Sequence, residues 1–459
     1  MNKNAALLVL CSAAFLVPFM GSSINLSLPK ISETFSMKAV SLGWIVTTYL
    51  ITTAVFQVPF ARLADLVGRK KIFIAGILLF GSATLLCGFA PSGTILIVLR
   101  AVSGLGCAMM FGTNMAILTA IFPAGERGKA IGINTSVVYA ALASGPFLGG
   151  LLTYYWGWQS LFFSIGIFGF VVAIGAFLFL KSEWVESKGE RFDYTGSGIY
   201  AFGLCGLIFG FSKLPDIQAF VAIAVGIVSF VFFVLYELKD KQPVFNVRIF
   251  SGNKVFSLSC ISALISYACI AATTFMISLY LQYIRGFNAL YAGRILIIQA
   301  CVQCLVSIYA GRLSDKINPS FLATSGMTIT AIGLIGLIFL TPDVSIVYVI
   351  VLIALLGFGF GLFSSPNSTM IMSSVHKKYY GQASATIGTM RLTGQSLSMG
   401  IAMMAISLHV GNRVITSELH PQFMQSFHIS FEIYAVLCLF GAYASSFRMK
   451  KNNQTNSII

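Results

Sequence analysis

Two pentapeptides decide how this chain is built: Ala61-Arg62-Leu63-Ala64-Asp65 and Gly311-Arg312-Leu313-Ser314-Asp315. Each closes a long apolar stretch with the pattern small-Arg-Leu-small-Asp. Asp65 stands 59 residues beyond the start of the apolar run at Ala6, and Asp315 stands 60 beyond the run at Val255. An offset matched to one residue marks an internal repeat, two like-oriented halves with an insert between them. A parallel repeat about an axis normal to the membrane is a transporter architecture, with the solute held near the midplane between the halves.

Composition agrees. Of 459 residues, 57% are hydrophobic and 9% charged, and the mean hydropathy is +0.88. A water-soluble domain carries about 25% charged residues, so the solvent here is lipid. Apolar runs fall near 6–28, 41–63, 71–90, 93–121, 130–154, 158–180, 195–213, 217–237, 255–283, 288–311, 320–341, 344–373, 383–410 and 426–447, which makes fourteen spans. The first is too long for a secretory signal and lacks a small-residue cleavage site, so it is expected to be a membrane helix. The expected units are residues 1–181, a six-helix bundle; 182–253, a cytoplasmic linker with two inserted helices; and 254–459, a second six-helix bundle with a short tail.

The net charge of +15 raises the question of nucleic acid, but its distribution answers otherwise. Counted along fourteen alternating spans, twenty Lys and Arg fall on the side of the N terminus and five on the other. Four lie within spans: Arg62, Arg100, Arg294 and Arg391. This bias places both termini in the cytoplasm and makes the basic excess topological. Nine cysteines all lie in apolar stretches and read as small hydrophobes. Cys301 and Cys304 have metal-site spacing but no second ligand pair nearby, and His376, His409, His420 and His428 are scattered, so no metal is expected. No phosphate loop or nucleophile elbow exists, so neither a cofactor nor enzymatic activity is expected.

The loop Ala61-Arg62-Leu63-Ala64-Asp65-Leu66-Val67-Gly68-Arg69-Lys70 resembles the Gly-x-Leu-Ala-Asp-x-x-Gly-Arg-Arg/Lys signature of the major facilitator superfamily, with Ala61 replacing the first Gly. Arg100-Ala101-Val102-Ser103-Gly104-Leu105-Gly106 is similar to the Arg-x-x-Gln-Gly-x-Gly run of proton-linked members, with Ser103 in place of Gln. Gly145-Pro146-Phe147-Leu148-Gly149-Gly150 resembles the pattern of exporters, although Ala141 replaces its leading Gly. With Trp156-Gly157-Trp158, Asp193-Tyr194-Thr195-Gly196 and Leu279-Tyr280-Leu281-Gln282, the chain most resembles the fourteen-helix drug:proton antiporter branch. The resemblance implies an all-α major facilitator fold, two six-helix bundles plus two inserted helices, that alternates access between the two sides.

Physical reading gives these motifs roles. Asp65 beside Gly68 and Arg69 is suited to hold the positive start of the third helix while Arg69 reaches across to the other half, with Arg312 and Asp315 as the repeat's counterpart. Gly145, Gly149 and Gly150 remove side chains so that another helix can approach, and Pro146 loosens the backbone. The gating candidates are therefore Asp65, Gly68, Arg69, Gly145, Pro146, Gly149, Arg312 and Asp315. The linker from Lys181 to Asp193 reads as a solvated stretch.

A charge within a span costs about 2.5–3.5 kcal/mol on the insertion scale and is a functional hypothesis by default. Relatives carry an Asp in the first span where this chain has Met20; Asn25 and Pro29 of that pattern remain. The clear acid within a span is Glu432, in the fourteenth, with His428 one turn before it, and it is the proton-coupling candidate. Arg100 is followed at helical spacing by Gly104, Cys107, Phe111 and Asn114. Tyr49, Thr53 and Gln57 form a stripe in the second span, Gln299 and Gln303 in the tenth, and Arg391 and Gln395 in the thirteenth. By the resemblance these spans line the cavity. The expected substrate residues are Asn25, Tyr49, Gln57, Arg100, Asn114, Gln299, Gln303, Arg391 and Gln395, a site of amides, rings and guanidiniums without a carboxylate.

The expectation is a monomeric exporter of small amphipathic molecules in a bacterial inner membrane, exchanging its substrate for protons, with the lipid bilayer as surroundings. The alternative is a symporter or facilitator for an anionic or neutral polar metabolite, which the missing first-span acid favours. A minor one is a membrane receptor that transports nothing.

Overall fold

A computed structural model describes residues 2–455, except 187–188, 214–216, 240–244, 246, 315, 376–379 and 412. Asp315, half of the repeat signature, therefore lies outside the described residues. Lipid offers no hydrogen-bond partners, so each span must satisfy its backbone internally, and a helix does so. The long helices are α1 (Lys3–Phe35), α2 (Ala39–Val67), α3 (Arg69–Cys87), α4 (Gly93–Ile121), α5 (Ala124–Trp156), α6 (Trp158–Phe179), α7 (Tyr194–Lys213) and α8 (Ile217–Glu237). After the short α9 (Arg248–Gly252) come α10 (Lys254–Leu279), extended by a π turn over Tyr280–Ile284, α11 (Ala289–Leu313), α12 (Pro319–Ile338), α13 (Ile346–Ser373), α14 (Tyr380–His409) and α15 (His420–Thr455). No strand occurs among the described residues.

The first apolar run was expected to stop near Leu28, yet α1 continues through Pro29 to Phe35. Proline also sits inside α2 (Pro59), α5 (Pro146) and α13 (Pro366). In lipid the lost hydrogen bond finds no better alternative outside the helix, so the helix persists instead of ending.

Among the described residues thirteen helices are long and apolar enough to cross a membrane; α14 completes the fourteen. Its apolarity is diluted by Arg391, Thr393, Gln395, Ser396 and Ser398, and its neighbours explain how it stays in the membrane. It lies against α2, α7, α10 and α15, and Ser398 accepts from the Ala272 amide (2.9 Å) through Oγ and from Tyr434 (2.7 Å) through its carbonyl. A span surrounded by protein has its polar groups satisfied by protein.

In the first half α1 packs on α5 and α6, α2 on α4, and α3 on α4 and α6. In the second, α10 packs on α14 and α15, α11 on α13, and α12 on α13 and α15. The halves meet along two seams, α2 against α14 and α5 against α11, and the inserted pair α7–α8 lies against the first, with α7 touching both α2 and α14. We call the side where α1 begins the terminal side and the other the distal side.

Candidate substrate site and gates

Arg100 of α4 is fully buried. Its Nε donates to the Ile45 carbonyl oxygen on α2 (3.1 Å), and its guanidinium carbon lies 4.2 Å from the centroid of the Tyr49 ring. Nη1 and Nη2 have no hydrogen-bond partner among the described residues. A cation over a ring gains about 2 kcal/mol when desolvated, whereas burying an unpaired charge costs considerably more. The group that would complete this environment is an anion or a strong acceptor.

The rest of the polar stripes divide. Thr53 is occupied with the Tyr49 and Gly104 carbonyl oxygens (2.7 and 3.2 Å). Gln57 is buried, leaves Oε1 without a partner, and points Nε2 at Gly388 of α14, 2.7 Å from where a Cβ would stand. Asn114 belongs to a structural knot: its Nδ2 donates to the Leu10 carbonyl oxygen (2.8 Å), which also accepts from Asn134 (3.5 Å), and Asn134 donates to Asn114 Oδ1 (3.3 Å). That knot ties α1, α4 and α5 together. Gln299 is buried and Gln303 half-buried on α11, and their carbonyl oxygens face Gly357 and Gly361 of α13.

Two further contacts cross between the halves near mid-helix, from Arg391 and Tyr139. The Arg391 guanidinium lies 5.1 Å from the Phe111 ring centroid on α4, and Tyr139 of α5 shares a hydrogen bond with Ser364 of α13 (3.3 Å).

On the distal side the halves are joined. The Ala39 amide donates to the Arg413 carbonyl oxygen (2.8 Å), and Ser278 of α10 donates to the Asn25 carbonyl oxygen (2.8 Å). The Asn25 side chain keeps a buried Oδ1 without a hydrogen-bond partner among the described residues. A Cβ on Gly150 would stand 2.4 Å from the Ala289 carbonyl oxygen, and one on Gly293 2.5 Å from that of Pro146, so α5 and α11 touch through their backbones. Gly145 and Gly149 face Ser22 and Ser23 of α1; the seam motif thus serves two neighbours at once.

On the terminal side Arg69 does not reach the other half. Its Nε donates to Asp65 (2.7 Å), and Nη1 and Nη2 donate to the two carboxylate oxygens of Glu186 (2.7 and 2.6 Å). Its amide donates to the Trp184 carbonyl oxygen (3.0 Å). The start of α3 was expected to be held by Asp65, but the Lys70 amide is capped by Glu183 (2.8 Å), because Asp65 is engaged with Arg69. Arg62 pairs with Glu190 (2.5 Å). Of the stretch from Lys181 to Asp193, expected to be solvated, most described residues are exposed, yet Glu183, Glu186 and Glu190 dock it as a strap onto the α2–α3 turn. Gly68 makes room for it: at φ 129° it sits where a Cβ would stand 2.6 Å from the Glu183 carboxyl.

This arrangement, two helical halves meeting around a polar centre, has known relatives. Residues 10–399 match the Major Facilitator Superfamily. The chain belongs to this superfamily. It is 25% identical to the riboflavin transporter RibZ of Clostridioides difficile, covering 99% of this chain and all of that protein. It is 28% identical to the multidrug resistance protein Stp of Mycobacterium tuberculosis, covering 87% of this chain and 76% of that one. A solved bacterial homologue of the human lysosomal transporter Spinster, in an inward-facing unoccupied conformation, superposes with a TM-score of 0.70 at 18% identity over 96% of each chain.

As a member of the Major Facilitator Superfamily the chain is an integral membrane protein and a secondary transporter. Two expected residues stand apart from the centre. Glu432 is exposed on α15, while His428 bonds to the Leu340 carbonyl oxygen (2.8 Å). Arg312 is exposed at the end of α11. Reading the sequence also missed Asn134, Tyr139, Tyr267 and the three strap glutamates. Single Tyr residues inside apolar spans were a usable signal for two of them; the glutamates carried none, since an acidic linker looks the same docked or free.

Proposed function

We propose that this protein exports small neutral or anionic amphipathic molecules across the bacterial inner membrane in exchange for protons, its terminal side in the cytoplasm. The observation that carries this reading is Arg100, a buried guanidinium with two nitrogens lacking partners in a centre that offers amides and rings. Among the fourteen Asp and Glu of the chain, none occupies the first-span position held by Met20, so a lipophilic cation would find repulsion without compensation. The multidrug resistance relative supports export. In this conformation the distal contacts of Asn25, Gly150 and Gly293 hold the external side shut, and the strap keeps Arg69 within its own half. Rocking the halves the other way would separate Gly150 from Ala289 and bring the Arg69 region against the second half.

A second reading is uptake or facilitated passage of a polar metabolite. The missing acid favours it, as does full-length similarity to a riboflavin transporter. Everted vesicles loaded with the protein decide between them. Accumulation of riboflavin or fluorescein should follow an imposed pH gradient and collapse with an uncoupler; accumulation indifferent to the gradient would end the antiport reading. Arg100→Gln should reduce transport of fluorescein more than tenfold and that of uncharged riboflavin several-fold less.

A further inference from the structure

Away from Arg100, a second cluster sits near the middle of four helices. Phe111 (α4), Tyr139 (α5), Tyr267 (α10) and Arg391 (α14) are each half-buried, so each keeps surface for something else to cover. The first two belong to one half and the last two to the other. The structure holds them in place from behind. Tyr267 meets the buried Phe360 edge-on, with centroids 5.3 Å apart and planes at 73°. Gly394 lets α14 lie directly on α10, since a Cβ there would stand 2.8 Å from Tyr267 Cβ. Arg391, one turn before Gly394, is thereby a neighbour of Tyr267, which also neighbours Tyr139.

We propose that Phe111, Tyr139, Tyr267 and Arg391 form a slot for a planar aromatic acid, whose ring lies among the aromatic side chains and whose carboxylate takes the Arg391 guanidinium. The proposal rests on the transport reading above. Its physical basis is the partner that Arg391 has here. A guanidinium facing a ring, with a half-exposed surface, holds a weaker partner than a carboxylate, which accepts two parallel charge-assisted hydrogen bonds. An incoming acid therefore exchanges the Phe111 contact for a stronger one. It also frees the Phe111 face to receive the acid's own ring, in the offset or edge-on arrangement that aromatic pairs prefer. An aliphatic acid gains the first exchange and forgoes the second; a planar cation gains the second and is repelled by Arg391. Because the Phe111–Arg391 contact spans the two halves, a ring inserted there reports on both, which suits a ligand whose binding must be coupled to their rocking.

The test uses the full-length protein in lipid nanodiscs and fluorescence polarisation with two planar probes, anionic fluorescein and cationic ethidium. Wild-type protein should bind fluorescein, and 2-naphthoate should displace it at least tenfold better than cyclohexanecarboxylate. Arg391→Gln should weaken fluorescein at least tenfold while tightening ethidium, since the repelling charge is gone, and Phe111→Leu should weaken fluorescein about fivefold. If Arg391→Gln does not fold, Arg391→Lys decides, with an expected loss of threefold or more, since a lysine keeps the charge and loses the fork. No fluorescein binding by the wild type, equal displacement by the two acids, or unchanged affinity in the arginine variants would overturn the slot. Riboflavin accumulation in vesicles without fluorescein binding would remove the slot and leave the transport reading standing; binding without any accumulation would do the reverse.

Discussion

The two seams between the halves are closed by different means. Along α2 and α14 the contact is made by side chains and then covered: Met403 lies over Gly43, and Ala54, Val55, Val58 and Leu392 join Tyr200, Leu204, Ile208 and Phe233 of the insert in one apolar cluster. Tyr200 anchors α7 to the Ala54 carbonyl oxygen (3.2 Å), and Phe209 meets Trp44 at 6.1 Å. Along α5 and α11 the contact is backbone on backbone, with Gly150 against Ala289 and Gly293 against Pro146. Side-chain contacts tolerate sliding because rotamers adjust, whereas a backbone contact through glycine exists in one register only. On the proposed transport reading, the second seam is the one that would define a closed state, and the first the one around which the halves would turn while staying sealed from lipid.

The sharpest way to break this comparison is Gly150→Leu. A side chain there has no place beside the Ala289 carbonyl oxygen, so the distal side should fail to close; vesicle transport should fall more than tenfold with the protein still folded by thermal unfolding. Retained transport would show that the backbone contact does not define closure. Leu204→Ala should act through stability instead. Removing a fully buried leucine from the covered seam costs about 2–4 kcal/mol in well-packed interiors, read as a lower unfolding temperature with transport per folded molecule within threefold. A loss of transport as large as that of Gly150→Leu would erase the distinction. Glu186→Gln tests the terminal side: it removes one carboxylate from Arg69 and leaves Asp65, and since Glu186 is largely exposed the pair is worth about 0.2–1 kcal/mol. Transport should change two- to threefold, less so in high salt; a salt-independent change would point away from the ion pair. Smallest is Tyr200→Phe, which deletes one hydrogen bond worth about 0.5–1.5 kcal/mol. It should lower thermal stability slightly and leave the transport rate unchanged.

Much of this was legible before any coordinates. Ala61 to Asp65 and its echo at Gly311 to Asp315 announced the repeat, and hydropathy located fourteen spans because lipid admits few other solutions. The centre was legible in part. Arg100 stands out because a charge in a span is costly, and its lack of an acidic partner follows from counting the acids of the chain. Tyr139 and Tyr267 were overlooked, since one aromatic residue in an apolar helix has no periodicity to betray it. Asn114 was assigned to the substrate, but its amide is spent on Leu10, a partner more than a hundred residues away.

What the sequence determined by itself is the medium, the number of crossings and the pairing of two similar halves, because those depend on local apolarity and on spacing along the chain. Which helices touch, that the strap captures Arg69, that one seam is covered and the other bare, and that Phe111 meets Arg391 were decided only by tertiary structure. Each of these depends on side chains far apart in sequence arriving at the same depth, and helical periodicity reports which face a residue occupies without reporting what stands opposite.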